Sequence, residues 1–182
     1  MSASGYFQHT VAGPVIFAGI GLHTGEHVRV VVRPSAADAG IVFVRTDVQD
    51  RDNRVPVSAE AVCQTQLGTV IGNAAGVRVS TIEHLMAALA ALSIDNGVVE
   101  LDGPEVPIMD GSSEPFVQIL DRAGRRKQEA VRQYIEILAP ITVEEGDKQM
   151  RVVAVDAHTM AQPRATCHAP LGQYCPAASR HP

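Results

Sequence analysis

The amino-acid sequence predicts an α+β fold in which a small sheet is layered on helices. Residues 27–33 alternate valine with other side chains, which is typical of a half-buried strand. Short apolar runs of this kind precede residues 81–92, where apolar side chains recur at the spacing of one helix face. A second helical pattern follows at 114–123. A sheet and amphipathic helices in this order bury their apolar sides against each other, which gives a two-layer domain.

The predicted strands of the first half are short and end at turn residues. The apolar run at 10–17 contains Gly13 and Pro14, so we expect a kinked or edge strand there. Residues 41–46 are expected to pair with the 27–33 strand as a hairpin. Further strands are predicted at 55–57, 67–71, 77–79 and 98–101.

The first helix is predicted from about Thr81 to Leu92, where Asp95-Asn96-Gly97 soon stops it. Its apolar stripe should be buried against the sheet, and it consists of Ile82, Leu85, Met86 and Leu89. The second helix is predicted at 114–123, with Ser113 as its cap and Gly124 as its end.

Composition changes along the chain predict three segments. Residues 1–124 form the first α+β domain. Residues 125–156 hold a polar linker, marked by Arg125-Arg126-Lys127, and a hairpin with strands at 134–143 and 148–155. Residues 157–182 contain no Asp or Glu but four of the eleven Pro, and we expect this tail to be unstructured. Its Cys and His spacings match no common zinc site.

The composition also excludes several classes of function. A net charge of −5, no Trp and 4% aromatic residues give no support for a nucleic-acid partner. No stretch approaches the roughly 20 apolar residues of a membrane span, and the N-terminus lacks the pattern of a signal peptide. Three Cys without paired-loop spacing suit a reducing cytoplasm.

Glu83 and His84 are the first candidate site residues. They lie away from the apolar stripe of the predicted helix, so a carboxylate and an imidazole are held outside the core. Beside a metal, imidazole is a neutral ligand and a carboxylate can take a proton from metal-bound water. The pattern also fits a capping box from Ser80 to Glu83, with His84 on a solvated face. The residues alone leave both interpretations open.

His23 is the second candidate. It lies in the run Gly19-Ile20-Gly21-Leu22-His23-Thr24-Gly25, where three glycines in seven residues predict a tight turn. The glycine spacing is not that of a dinucleotide-binding fingerprint, and a strand follows it where that fingerprint requires a helix. His23 is either a turn residue or a site residue.

Three motifs in register resemble those of the bacterial UDP-3-O-acyl-N-acetylglucosamine deacetylases. They are Gly-Leu-His-Thr-Gly at 21–25, Ser-Thr-Ile-Glu-His-Leu at 80–85 and Pro-Ile-Met-Asp-Gly-Ser at 107–112. Shorter matches at 45–47, 94–96 and 145–148 extend the likeness over about residues 9–150. The resemblance implies two similar α+β domains with the active site between them. This chain would then hold the first domain and a stub of the second.

The resemblance implies a zinc-dependent amidase of lipid A synthesis. Such an enzyme removes the N-acetyl group of UDP-3-O-acyl-N-acetylglucosamine as acetate. By the matching motifs, Glu83 is the general base, His84 is a zinc (Zn2+) ligand and His23 lines the substrate side of the site. A catalytic zinc needs about three protein ligands. The family takes the other two from a His-Lys-x-x-x-Asp motif that this sequence does not contain.

Two expectations about function follow. The first is the family deacetylase, a cytoplasmic hydrolase. The second is a non-catalytic remnant that folds but does not turn over, because two metal ligands are missing. Zinc content distinguishes these two hypotheses.

Overall fold

The described residues of the computed structural model are 7–134, 137–146 and 148–152. They contain twelve strands and two α-helices. The first six strands are β1 Phe7–Val11, β2 Val15–Ile20, β3 His27–Pro34, β4 Ile41–Arg45, β5 Arg54–Pro56 and β6 Val62–Gln64. The following elements are β7 Val70–Gly72, β8 Arg78–Ser80, α1 Glu83–Ala91, β9 Gly97–Leu101 and α2 Glu114–Ala123. The last strands are β10 Arg125–Val131, β11 Ile141–Glu145 and β12 Lys148–Val152. The chain divides into two units, Met1–Arg132 and Gln133–Pro182.

A five-stranded sheet is the frame of the first unit, with the order β2-β3-β9-β4-β5. All its neighbours are antiparallel except β4 and β9, which run parallel. A second sheet of three strands, β6-β7-β8, leads directly into α1. The predicted α+β class is therefore confirmed.

The two helices cover the five-stranded sheet through one continuous apolar core. Leu85 and Leu89 of α1 are 0% and 1% exposed, and Phe116 of α2 packs edge-to-face on Phe17 of β2 with ring centroids 5.4 Å apart. The predicted stripe on the first helix is confirmed for Ile82, Leu85 and Leu89, while Met86 is half-buried against the same core.

The predicted hairpin between the 27–33 and 41–46 strands is wrong. Strand β9 lies between β3 and β4, and it pairs with both of them. Gly40, in the β3–β4 connection, donates to the side chain of Asn96 at 2.8 Å and accepts from the amide of Gly97 at 3.0 Å. These bonds hold the start of β9 in the gap, and its alternate residues Gly97, Val99 and Leu101 are buried. Strand β9, which is distant in the sequence, thus lies beside β3, where β4, the next strand in the sequence, was expected.

The segment expected as a polar linker is a strand. Residues of β10 pair antiparallel with β1, and Val11, Thr10 and His9 face Arg125, Arg126 and Lys127. The charged side chains are exposed while the backbone completes the ladder, so the charge run did not reveal the strand. Lys127 Nζ lies 3.5 Å from the centroid of the Phe7 ring, a cation–π contact across this pair. Strand β6, which is exposed throughout, was also not predicted.

The second unit contains a hairpin, as predicted, and β11 and β12 form it. Its first strand runs from Ile141 to Glu145, whereas the sequence predicted a strand at 134–143. Its facing pairs Ile141 with Val152 and Val143 with Met150 put four apolar side chains on one face, and all four are exposed. The predicted tail at 157–182 lies outside the described residues. Within the described part of the chain, neither helix is long and apolar enough to cross a membrane.

Candidate active site

The start of α1 carries the first two candidate residues, and Glu83 is its first helical residue. The N-cap is Ile82 and no side chain caps the helix, so the capping-box interpretation is wrong. Ser80 instead donates its hydroxyl to the carbonyl of Pro104 at 3.2 Å. The Glu83 carboxylate accepts a hydrogen bond from the backbone amide of Thr69, in the loop before β7.

The Glu83 carboxyl has a lowered pKa. Burial acts to raise the pKa, but hydrogen bonds from its own amide and from Thr69, with the nearby charge of His84, outweigh burial. Glu83 is therefore ionised around neutral pH, which is the state in which a carboxylate accepts a proton.

His84 is half-buried, and its Nδ1 atom is buried without a hydrogen-bond partner among the described residues. Buried polar atoms of native proteins are nearly always bonded, so this imidazole nitrogen is available to a partner outside the described residues. The Nδ1 atom of His9, in β1, is unbonded in the same way, so the unbonded state alone does not mark a site. Asp110 lies close enough for the charge of His84 to act on it. The pKa of Asp110 is lowered first by hydrogen bonds from the Ser112 hydroxyl and amide, at 2.8 and 2.9 Å, and further by His84.

His23 lies in a tight turn, as predicted. The Gly21 amide donates to the Glu26 carbonyl and the Gly25 amide donates to the Gly21 carbonyl, both at 3.0 Å. The imidazole is exposed. A Cβ placed on Gly68 would lie 3.7 Å from His23 Nε2 and 3.9 Å from Glu83 Oε1. The fold thus brings His23 and Glu83 to one place, although they are 60 positions apart in the sequence.

Glu105 is the residue at this site that sequence reasoning did not single out. It is 1% exposed, yet its carboxylate lies beneath the His23 turn and beside Thr81. One signal was available, because Glu105 is the single charged residue between Pro104 and Pro107 in an apolar stretch that leads into the third motif.

Acid should weaken the fold through Glu105. Burial raises its pKa, but hydrogen bonds from Thr81, Thr24 and His23 outweigh burial, and the net pKa lies below the ordinary value. A carboxyl with a lowered folded pKa stabilises the fold above its unfolded pKa of about 4.3, and this stabilisation is lost as pH falls through the folded pKa. Glu105→Gln should lower the free energy of unfolding at neutral pH by about 2–3 kcal/mol. Its stability should also fall less steeply with acid.

Urea unfolding of the 182-residue chain at a series of pH values between about 3 and 7 measures both effects. Glu129→Gln makes the same chemical change at an exposed position of β10 and is the matched control for the loss at neutral pH. Equal steepness in the wild type and Glu105→Gln would contradict this role of Glu105.

The described residues do not by themselves fit a resident zinc. Among them, no three His, Cys, Asp or Glu side chains cluster in a way that would hold a metal ion. His84 provides one imidazole with an unbonded nitrogen, whereas a catalytic zinc takes about three protein ligands.

Comparison with known proteins decides the family. The model of the UDP-3-O-acyl N-acetylglycosamine deacetylase family matches residues 8–173. The chain belongs to this family. The match extends past residue 150, to which the resemblance of the motifs was expected to reach.

Curated relatives carry the name UDP-3-O-acyl-N-acetylglucosamine deacetylase. The protein of Phenylobacterium zucineum is 67% identical over 155 residues, which are 85% of this chain and 53% of the relative. Those of Shewanella frigidimarina and Shewanella oneidensis are 47% and 49% identical over 142 residues, 78% of this chain and 46% of each relative. The chain thus spans about half the length of these relatives.

Proposed function

We propose that this chain supplies the Glu83–His84 half of an active site that hydrolyses the N-acetyl group of UDP-3-O-acyl-N-acetylglucosamine. The products are the free amine and acetate, and the reaction belongs to lipid A synthesis in the cytoplasm. Membership of the deacetylase family supports the substrate. The meeting of His23 and Glu83 at Gly68, beside His84, is the structural observation that carries the proposal.

In this proposal Glu83 is the general base. Amide hydrolysis requires a water molecule to lose a proton as it attacks the carbonyl carbon, and an ionised carboxylate accepts that proton. The lowered pKa of Glu83 keeps it ionised, and the Thr69 amide holds its carboxylate in one orientation. His23 faces the same place with an exposed imidazole and would contact the substrate.

The proposal includes zinc, with His84 as one ligand. The unbonded, buried Nδ1 of His84 supports a missing partner at this imidazole. Because the described residues supply no cluster of metal-binding side chains, the other ligands must come from outside them.

The second candidate function is a non-catalytic form. The same lack of a metal-binding cluster in the described residues favours it for the 182-residue polypeptide expressed alone. Both proposals agree on the half-site and differ on whether this polypeptide completes it.

A chimera tests the first proposal. Residues 1–132, the first unit, would replace the corresponding segment of the Phenylobacterium zucineum relative. The chimera should release acetate from UDP-3-O-acyl-N-acetylglucosamine at a rate within about tenfold of that relative. A folded chimera with the zinc content of that relative and no acetate release would contradict the proposed function.

A further inference from the structure

We propose that Glu105 is a positioning residue that fixes the His23 turn and the start of α1 relative to each other. This inference rests on the proposed function, because it assigns a role to a residue outside the three motifs in the reaction of Glu83, His84 and His23. Among the described residues, the Glu105 carboxylate bonds to the His23 turn and to Thr81, so it acts through the segments it holds.

The first set of contacts joins Glu105 to the His23 turn. The amide of His23 donates to both carboxylate oxygens at 3.1 Å. The amide and the hydroxyl of Thr24 donate to Oε2 at 2.9 and 3.0 Å. Hydrogen bonds to an ionised acceptor are stronger than neutral ones, so this buried carboxylate adds to the backbone bonds that hold the turn in place.

The second contact joins the same carboxylate to the residues before α1. The Thr81 hydroxyl donates to Glu105 Oε1 at 2.7 Å, and both residues are buried. Thr81 has φ +59°, a left-handed conformation that is a strained outlier for a β-branched residue. This conformation turns the chain from β8 into α1, two residues before Glu83, and the bond to Glu105 helps to hold it.

Gly21 provides an independent observation. A Cβ at this position would lie 2.5 Å from Glu105 Oε2 and 2.3 Å from Thr24 Oγ1. The turn therefore closes over the carboxylate only because residue 21 has no side chain. Gly21, the first glycine of the first motif, thus leaves room for both Thr24 and Glu105, and the second of these connects the motif to a residue outside it.

Both oxygens of Glu105 accept hydrogen bonds from surrounding groups, so glutamine cannot reproduce all of these bonds. Oε1 accepts from Thr81 and His23, and Oε2 accepts from Thr24 and His23. Whichever oxygen becomes an NH2 group would then face the backbone amide of His23, which can only donate. Glu105→Gln should therefore loosen the hold on the His23 turn, and it also removes the negative charge from the bond to Thr81.

Amide NMR of the 182-residue chain tests this without any turnover. In Glu105→Gln, hydrogen exchange at the amides of His23 and Thr24 should be at least about tenfold faster. In Thr81→Val, which removes one donor on the helix side alone, the His23 and Thr24 signals should also shift, because the carboxylate couples the two segments. Glu129→Gln is the control and should leave these signals unchanged.

The outcomes separate this inference from the proposed function. If Thr81→Val changes signals only near α1, Glu105 does not couple the segments and the inference is overturned; Thr81→Val decides this even if Glu105→Gln does not fold. In the chimera, Glu105→Gln should lower kcat at least about tenfold with little change in KM. Retained kcat would overturn the role in positioning. If the parent chimera is inactive but the NMR signals of the two segments still shift together, the proposed function is refuted. The inference that Glu105 couples the His23 turn to the start of α1 is then still supported.

Discussion

Glu83→Gln in the chimera should lower acetate release at least about 100-fold, the range expected when a general base is lost. Glutamine keeps the size of the side chain and can still accept the Thr69 amide bond through its carbonyl oxygen. It cannot take a proton from water. The fall should therefore appear in kcat, while KM stays near that of the parent chimera.

Glu129→Gln in the same chimera is the matched control, since it makes the same chemical change on exposed β10. Its activity should equal that of the parent. If Glu83→Gln retained activity within a few-fold of the parent, Glu83 would not be the base and the proposed mechanism would fail.

Leu85→Ala should lower the free energy of unfolding by about 3–4 kcal/mol. Leu85 is 0% exposed and lies in the core that joins α1 to the sheet, so its removal leaves a cavity in a site with little freedom to collapse. Urea unfolding of the 182-residue chain measures the change.

Leu67→Ala is the control for that experiment, because Leu67 is 85% exposed. This substitution removes the same side-chain volume, but at the surface. Its effect should stay within about 0.5 kcal/mol. An equal effect of the two substitutions would show that α1 is not packed through Leu85, and the two-layer description would be wrong.

The local patterns of the sequence predicted both helices and most strands of the five-stranded sheet, because period and turn chemistry act over a few residues. The second helix occurs at the predicted residues, and the strand from His27 ends at Pro34 as expected. The α+β class followed from the order of these elements. The pairing of strands could not be predicted in the same way. It depends on Asn96 and Gly97 bonding Gly40, a contact between segments 56 residues apart.

The candidate site also has one part that the sequence predicted and one part that depends on contacts between distant segments. The three motifs singled out Glu83, His84 and His23 by likeness to a family, while periodicity alone left Glu83 open to a capping role that the structure excludes. Only one local signal pointed to Glu105, its charge between Pro104 and Pro107, because its importance comes from donors on two segments that are distant in sequence. The bonding of β10 to β1 was missed for a related reason, since exposed charges on a strand resemble those of a linker.

The most direct test of the account is the zinc content of the purified 182-residue chain, with His84→Ala as the control. A single imidazole binds zinc far more weakly than three converging ligands, and the described residues provide no such set. We expect elemental analysis to give well under one zinc per chain, with no difference between the wild type and His84→Ala. Near-stoichiometric zinc that is lost in His84→Ala would contradict the account, because the polypeptide would then complete the metal site by itself.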